Sequence, residues 1–277
     1  MHSADGSRPW TFYVFAAFFG LFVAFLYGPM TVIYILSFQG PQGGMTFPMN
    51  GFSLEWFRAL FEQKRVGDIA GAFVRSLELA LVVAVITVVL SVVAGLAFRR
   101  RFRGSAFVFY LAIASLIMPG LFVGLGIALS FRLIGIDTSW YTSGLGAQLT
   151  WTLPFGLLIM FAVLGRFNRA YEEAATDLGA TSWQRVREVT LPILLPGIIG
   201  VAMGAFTLSY DEYARTTLAI GRNNTLPLEL YALISSATSP VLFAIGTLTT
   251  SVSFLIIGVT LVAVWRMQRR RAAIQST

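Results

Sequence analysis

The sequence predicts an all-α, polytopic membrane protein with six transmembrane helices, and three observations support this fold class. Hydrophobic residues make up 56% of the 277 positions and charged residues only 12%, whereas about a quarter of the residues in an ordinary soluble domain are charged. The mean hydropathy is +0.75. Six apolar runs approach or exceed the roughly 20 residues that a helix needs to cross the hydrocarbon core of a bilayer.

These runs predict transmembrane spans at residues 10–38, 70–98, 106–134, 148–165, 197–220 and 241–265. The first run could alternatively be a signal peptide. It is, however, much longer than the roughly 7 to 15 apolar residues of a signal peptide core, and the residues before it are hardly basic. We therefore expect a retained helix. Because no repeat or second domain is evident, residues 1–277 are expected to form a single transmembrane domain.

The connection between the first two spans contains a predicted loop and a predicted short helix. Residues 40–44 are rich in glycine and proline, a composition typical of loops. Residues 53–61 predict a short amphipathic helix with an aromatic face and with Ser53 as the expected N-cap. This short helix is expected to lie at the outer membrane interface.

Three of the spans contain prolines that interrupt backbone hydrogen bonding or glycines that permit close helix packing. Pro119 in the third span and Pro154 in the fourth each remove a backbone hydrogen bond at membrane depth, and broken spans of this kind often line a cavity. Two glycine pairs have the spacing that permits close helix packing: Gly120 with Gly124, and Gly200 with Gly204.

The arginine distribution predicts that both chain termini face the cytoplasm. If the N-terminus is inside, the arginine clusters at residues 99–103, 166–187 and 266–271 all fall on the cytoplasmic side, whereas the outer connection at residues 135–147 has no basic residue. The same count places the long polar segment at residues 166–196 in the cytoplasm. The net charge of +7 is then best explained by contact with anionic lipid rather than with nucleic acid.

The residue inventory argues against an enzyme. The chain has no cysteine, and its only histidine is His2, so zinc sites and histidine-dependent catalytic groups have no ligands within the spans. No segment has the glycine-rich phosphate-binding pattern that ends in Gly-Lys-Ser or Gly-Lys-Thr. We therefore expect this chain to bind no cofactor and to hold no ATP itself.

The polar segment at residues 166–196 is predicted to contain two short helices. Residues 171–178 favour a helix, and Gly179 is suited to end it in a left-handed conformation. Thr181 and Gln184 have the spacing of a capping box, which starts a second helix. This second helix is expected to stop before the fifth span, at Leu191, Pro192 and Pro196.

The same segment carries a family motif. Its spacing is Glu173-Ala174-Ala175, three residues, Gly179, nine residues, Val189, one residue and then Leu191-Pro192. This pattern resembles the cytoplasmic coupling loop of ABC-importer permeases. The spermidine/putrescine permease family, and specifically the second permease of its pair, is similar over further segments, namely Phe52–Phe57, Met118–Gly120, Leu153–Phe155, Leu208–Glu212 and Thr225–Leu228.

The resemblance implies a type I ABC-importer permease fold in a bacterial inner membrane, with no catalytic role for this chain. It implies two ATPase subunits that hold ATP and magnesium, a sister permease forming a heterodimer, and an extracytoplasmic binding protein that delivers the cargo. The motif residues would dock on the ATPase: Glu173, Ala174, Ala175, Gly179, Val189, Leu191 and Pro192.

Polar residues within spans are candidates for a substrate pathway because they are costly to insert into a membrane. Asp211 and Glu212 are the clearest pair, since adjacent carboxylates would attract the ammonium groups of a polyamine. Asp211 could instead pair with Arg215, four residues on, whereas Glu212 has no basic residue at that spacing. Tyr210 and Tyr213 could add cation-π contacts or belong to the aromatic belt at the membrane surface.

Two further candidates lie in other spans. Glu78 is expected either to face the pathway or to pair with Arg75, a position where relatives commonly have asparagine. Gln148 stands where many polyamine-type relatives have histidine. These departures leave the cargo open to another small solute, such as an amino-acid derivative, an opine-like compound or ferric iron.

Other classes of protein remain as alternatives. An ion-coupled secondary transporter would also use acids within the membrane, but it would normally show two related halves and would not need the loop motif. A membrane-embedded hydrolase is the third alternative, and it would lack the usual histidine and cysteine side chains here.

Overall fold

The structure, a computed structural model, describes residues 9–60, 68–99, 102–236 and 240–275. The chain divides into two compact units. The first contains residues 1–67 and 233–259, and the second contains residues 68–232 and 260–277. Among the described residues there is no β-strand, only an isolated antiparallel bridge between Gln39 and Phe52. The predicted all-α fold class is therefore confirmed.

Eleven helices are numbered here in chain order over the described residues. They are α1 (Trp10–Leu36), α2 (Glu55–Ala59), α3 (Ile69–Phe98), α4 (Ser105–Ile117), α5 (Gly120–Leu133), α6 (Leu145–Gly165), α7 (Ala170–Asp177), α8 (Ser182–Gln184), α9 (Leu191–Tyr210), α10 (Leu226–Ser236) and α11 (Val241–Gln275). Two π-helical segments, Trp140–Gly144 and Arg185–Thr190, lead directly into α6 and α9.

The helices agree with a protein that crosses the membrane several times. Five helical segments are long and apolar enough to span a membrane: Trp10–Leu36, Ile69–Phe98, Trp140–Gly165, Ser182–Tyr210 and Val241–Val259. The pair α4 and α5 makes a sixth if the two helices form one span, and they meet at a bend of 111°. The prediction of six spans holds in this form.

In the first unit, a buried glutamine organises the loop that follows α1. The Gln39 side chain is fully buried and donates to the Gly44 carbonyl at 2.9 Å, while the Trp56 indole donates to the Gln39 carbonyl at 2.8 Å. The predicted short helix is present as α2. Its N-cap residue is Leu54 and not Ser53 as expected, although the Ser53 hydroxyl accepts from the Glu55 backbone N–H at 3.0 Å. Part of the predicted helix, Phe61, lies outside the described residues.

In the second unit, α3, α6 and α9 form the core. The cluster consists of Val92 from α3, Met160 and Leu164 from α6, and Leu194 and Val201 from α9. Glycines let these helices approach closely. A Cβ on Gly156 would overlap the Ser91 hydroxyl, and one on Gly204 would overlap the Phe155 ring. Close packing is therefore confirmed for Gly204, whereas Gly200 has nothing within 4 Å of a Cβ position.

The third span is broken at its proline, as predicted. Met118 has an extended backbone (φ −63°, ψ 133°) because the residue before a proline is disfavoured in the helical region. Pro119 then precedes α5. In contrast, Pro154 lies inside α6 without ending it.

The fifth span differs from the prediction at both ends. The helix starts much earlier than residue 197, because α8, the π-helical segment and α9 run on without a stop at Pro192 or Pro196. Pro192 is the second residue of α9 and directly follows the π-helical turn Arg185–Thr190, which accommodates its ring and its missing N–H. Thr190 Oγ1 lies 3.2 Å from the Arg185 carbonyl oxygen within the preceding π-helical turn.

The fifth span also ends early, at Tyr210 rather than at residue 220. Beyond that end, two threonine hydroxyls bond to carbonyls one turn back: Thr216 donates to Glu212 at 2.8 Å, and Thr217 donates to Tyr213 at 2.7 Å. The segment at residues 211–225 is irregular, although several of its side chains are buried. It leads into α10, a helix that the sequence did not predict.

The bounds of the other spans differ less from their predicted positions. The fourth span starts with the π-helical turn at Trp140 rather than at residue 148. A capping box formed by Ser139 and Thr142 starts this turn. The small polar residues of the same stretch had instead predicted a loop between two spans. The last helix continues beyond residue 265 to Gln275. Helices α1 and α3 begin and end within about two residues of their predicted spans.

Candidate functional site

The coupling loop, defined here as residues 166–190, folds as two short helices joined at a glycine. Gly179 has a left-handed backbone (φ +84°), and the Ala180 N–H donates to the Ala175 carbonyl at 2.9 Å, so α7 ends where the sequence predicted. The predicted capping box of Thr181 and Gln184 is also present and starts α8. Local sequence signals therefore determine the shape of this loop.

Glu172 anchors the loop to the membrane helices. Arg99 Nη1 and Nη2, just after the end of α3, donate to Glu172 Oε1 and Oε2 at 2.7 and 2.8 Å. Thr190, just before α9, donates to Glu172 Oε1 at 2.6 Å. The Arg99 guanidinium, followed by the Thr190 hydroxyl and the charge of Arg185, holds the pKa of the Glu172 carboxyl below its usual range. One carboxylate thus joins α7 to two spans.

Sequence reasoning missed this network. It selected Glu173 from the motif, but the neighbouring Glu172 is the acid that makes the internal contacts. Adjacent helical residues point about 100° apart, so only one of the two acids can face inward. Arg99 stacks on the Phe167 ring at 4.9 Å and is thereby held at the base of the loop. No pattern in one sequence reveals a pairing across more than seventy residues.

The outer surface of the loop exposes two large apolar side chains. Leu178 is 88% exposed and Trp183 is 67% exposed, and both lie beside the glycine junction. Glu173, Ala174 and Gly179 are also exposed, and nothing lies within 4 Å of a Cβ position on Gly179. The other motif residues, Ala175, Val189, Leu191 and Pro192, are half-buried and face the protein. Three motif residues are therefore exposed, and four face the protein.

A second group of polar side chains surrounds the end of α9. Glu212 and Arg215 are buried, with exposed fractions of 6% and 7%. Arg215 Nη1 lies 3.6 Å from Glu212 Oε2, and the Arg215 backbone N–H donates to Glu212 Oε1 at 2.7 Å. The guanidinium also lies over the Trp151 ring at 4.7 Å from its centroid. Arg215 is thus enclosed between α6 and the irregular segment.

This geometry corrects one expectation about the two acids. Arg215 pairs with Glu212, three residues before it, and not with Asp211. The expectation assumed a helix through residue 220, whereas the helix ends at Tyr210 and the chain turns. Asp211 is exposed and has no salt bridge within the part of the chain that the structure describes. Of the two carboxylates, Asp211 is the one available to a solute.

Buried polar groups without hydrogen-bond partners lie on α6, at the end of α9 and in the irregular segment that follows it. Gln148 is fully buried, and its Oε1 accepts from the Ser209 hydroxyl, but its Nε2 has no partner among the described residues. Trp151 Nε1 and Arg215 Nε are likewise unmatched there, as is the Tyr210 hydroxyl. Because buried polar groups normally have partners, unmatched donors are typical of a site that meets a ligand or water.

The tyrosines and Glu78 lie in different surroundings. Tyr210 stacks on Phe206, and Tyr213 packs against Tyr231, with ring centroids 6.0 and 4.9 Å apart. Glu78 is exposed and does not pair with Arg75, contrary to one expectation. Arg75 instead binds Asp68 at 2.9 Å and donates to the Asn224 carbonyl at 2.8 Å.

The described residues contain no group of three or more acidic, histidine or cysteine side chains that could hold a metal.

Comparisons with known proteins match most of the chain. The family model described as "Binding-protein-dependent transport system inner membrane component" matches residues 87–271. The spermidine/putrescine transport system permease protein PotC of Escherichia coli (strain K12) is 28% identical over 227 residues, which cover 81% of this chain and 84% of PotC. The putrescine transport system permease protein PotI of the same strain is 30% identical over 233 residues, covering 81% of each chain.

Solved structures are similar in fold. A bacterial ABC transporter involved in the import of the acidic polysaccharide alginate superposes with a TM-score of 0.65 at 16% identity, covering 96% of this chain and 99% of that one. The MetNI methionine ABC transporter in an inward-facing conformation gives a TM-score of 0.53 at 18% identity, covering 76% and 95%. These likenesses show the fold.

Proposed function

The chain belongs to the family of binding-protein-dependent transport system inner membrane components, and from this premise we propose that it forms the translocation pathway of an ATP-driven importer. The resemblance indicated by the loop motif is confirmed, since the relatives include polyamine permeases. The chain is a multi-pass membrane protein and a permease component of such an importer. Its proposed place is the inner membrane, with both termini in the cytoplasm.

The observation that carries this proposal is the form of the coupling loop. Its outer surface presents Leu178, Trp183 and Glu173 to a partner, while Glu172 ties the inner side to α3 and α9. A push on the loop by a separate ATPase would therefore reach two spans directly. The chain itself is proposed to be non-catalytic. Two ATPase subunits would supply ATP and magnesium, a sister permease would complete the pathway, and an extracytoplasmic binding protein would deliver the cargo.

The proposed cargo is a small cation of the spermidine or putrescine kind. PotC and PotI are named for these solutes, and the free carboxylate of Asp211 has the charge to attract an ammonium group. A second candidate cargo has an observation of its own. The unmatched donors of Gln148, Trp151 and Arg215 favour a solute that also carries hydrogen-bond acceptors, such as an amino-acid derivative.

Substituting Gly179 tests whether the loop couples the chain to an ATPase. In Gly179→Arg the arginine must adopt φ +84°, which is strained for any residue with a Cβ. We expect binding-protein-stimulated ATP hydrolysis by the purified importer to fall at least about tenfold, equivalent to about 1.4 kcal/mol in barrier height. Gly104→Arg is a matched control because Gly104 also has a positive φ (+90°) and open space, but lies outside the loop.

The same experiment separates the classes of transporter. An importer loses ATP hydrolysis and uptake together in Gly179→Arg and keeps both in the Gly104→Arg control. Failure of any ATPase to co-purify, or normal coupling in Gly179→Arg, would contradict the proposal. Uptake that continues without ATP but stops when an ion gradient is collapsed would instead indicate a secondary transporter.

A further inference from the structure

A pocket of about 350 Å³ lies behind the coupling loop. Its lining includes the end of α3 and both loop helices, and three arginines contribute to it: Arg99, Arg169 and Arg185. Ser182 and Glu172 also line it. The volume lies within the range of ordinary small-ligand sites, roughly 300 to 1,000 Å³. All of these residues belong to the second unit of the chain.

The pocket carries more positive charge than its own carboxylate neutralises. Both oxygens of Glu172 are occupied by Arg99, and Oε1 also accepts from Thr190. Arg169 and Arg185 have no salt bridge over the ranges that the structure describes. The three guanidinium groups that line the cavity therefore exceed its one carboxylate by two positive charges.

The polar contacts of these two arginines leave donors unused. Arg169 makes a single long contact, from Nη2 to the Arg99 carbonyl at 3.4 Å. Arg185 donates from Nη1 to Thr176 Oγ1 and from Nη2 to Ser182 Oγ, each at 2.9 Å, but its buried Nε has no acceptor among the described residues. A guanidinium group has five N–H donors, so most of those on Arg169 are available to a ligand.

We propose that this pocket binds a phosphate-bearing anion. The planar, always charged guanidinium group matches phosphate oxygens in pairs, and charge-assisted hydrogen bonds of this kind are among the strong ones in proteins. Arg169 immediately precedes α7, and Arg185 immediately follows α8. An anion held by both would clamp the two loop helices together and stiffen the element that meets the ATPase.

The phosphate has two sources that fit the position of the pocket. Arg99 directly follows Phe98, the last residue of an apolar helix long enough to span a membrane, so a lipid headgroup at the bilayer surface can reach the pocket. A soluble phosphate compound can enter from the aqueous side, because Arg169 and Ser182 are exposed. The site is independent of the cargo and of the direction of transport.

The test measures anion binding to the full purified chain in nanodiscs. With neutral phosphatidylcholine alone, inorganic pyrophosphate is titrated by calorimetry. With phosphatidylglycerol added, the lipid retained after extraction is counted by native mass spectrometry. We expect Arg169→Gln, alone and combined with Arg185→Gln, to weaken binding at least about tenfold, as for loss of a charge-assisted bond. Arg187→Gln is the matched control, because Arg187 is exposed on the same segment and does not line the pocket.

Each outcome has a distinct meaning. Pyrophosphate binding that is lost only in the pocket variants supports a soluble anion, and phosphatidylglycerol retention lost only there supports a lipid headgroup. Absence of both in the unmodified chain overturns the proposal, as does an equal loss in Arg187→Gln. Arg169→Gln alters an exposed residue, and its melting temperature reports folding separately. If the double variant fails to fold, the single variant still decides the result.

Discussion

Glu172 is the residue on which the coupling loop depends most. It accepts two hydrogen bonds from Arg99 and one from Thr190, although the motif that identifies the loop begins one residue later. The two neighbouring acids therefore have separate roles. Glu173 is exposed, and its proposed role is contact with an ATPase, whereas Glu172 connects the loop to α3 and α9. Motif spacing predicted the first role, and only the three-dimensional contacts identified the second.

Acid should loosen the loop through this one group. Because the folded-state pKa of Glu172 is depressed, its stabilisation is fully present above the pKa of an unfolded glutamate and is lost as the pH falls through the lower folded-state value. Glu172→Gln removes the charge and the pH dependence together. We expect it to cost about 1–2 kcal/mol of local stability near neutral pH, an estimate reduced for partial solvent exposure.

Hydrogen exchange of residues 170–190, followed from neutral to acidic pH, measures this effect. Protection should fall with acidification in the unmodified chain and should be low and nearly independent of pH in Glu172→Gln. The exposed neighbour provides the control, because Glu173→Gln should retain the normal profile. A normal profile in Glu172→Gln would show that the ion pair does not hold the loop.

At the scale of helices, the sequence predicted what depends on local chemistry and on long apolar runs. The break at Pro119, the end of α7 at Gly179 and the capping box at Thr181 are local signals, and they appear as expected. The continuous helix through Pro192 was not predictable from a breaker rule, because a preceding π-helical turn accommodates that residue. The early end at Tyr210 was not predicted, because the sequence has no proline or glycine between Tyr210 and Gly221 to mark it.

Helix α5 and the irregular segment after α9 depend on one glycine for their approach. A Cβ on Gly124 would overlap the Arg215 carbonyl oxygen. Gly124→Ala should therefore displace the segment that carries Glu212 and Arg215 and lower stability by about 1–3 kcal/mol, as for other overpacked sites. Thermal unfolding of the purified chain measures the loss.

The same helix provides a matched control for that substitution. Gly126 is two residues away and has nothing within 4 Å of a Cβ position. Gly126→Ala should leave stability unchanged or raise it slightly, since alanine has the higher helix propensity. Equal destabilisation by the two substitutions would indicate a general intolerance of α5 rather than a specific close approach.

For the molecule as a whole, the central question is how polar groups in a largely apolar chain divide between structure and transport. Glu212 and Arg215 neutralise one another in a buried position, so removing either leaves a buried charge without its partner. Asp211 has no salt bridge among the described residues. From the sequence, the two acids have nearly the same standing as pathway candidates, because a residue pattern does not show that the helix ends between Tyr210 and the pair.

Single substitutions of the two carboxylates should therefore have different consequences. Asp211→Asn should reduce uptake of labelled spermidine or putrescine by about three- to tenfold, corresponding to about 0.7–1.4 kcal/mol of lost attraction, while leaving the amount of assembled protein unchanged. Glu212→Gln should chiefly lower the melting temperature and the yield, because it removes the carboxylate that faces Arg215. Uptake into proteoliposomes, normalised to folded protein, separates the two effects. Normal polyamine uptake in Asp211→Asn would remove Asp211 from the pathway.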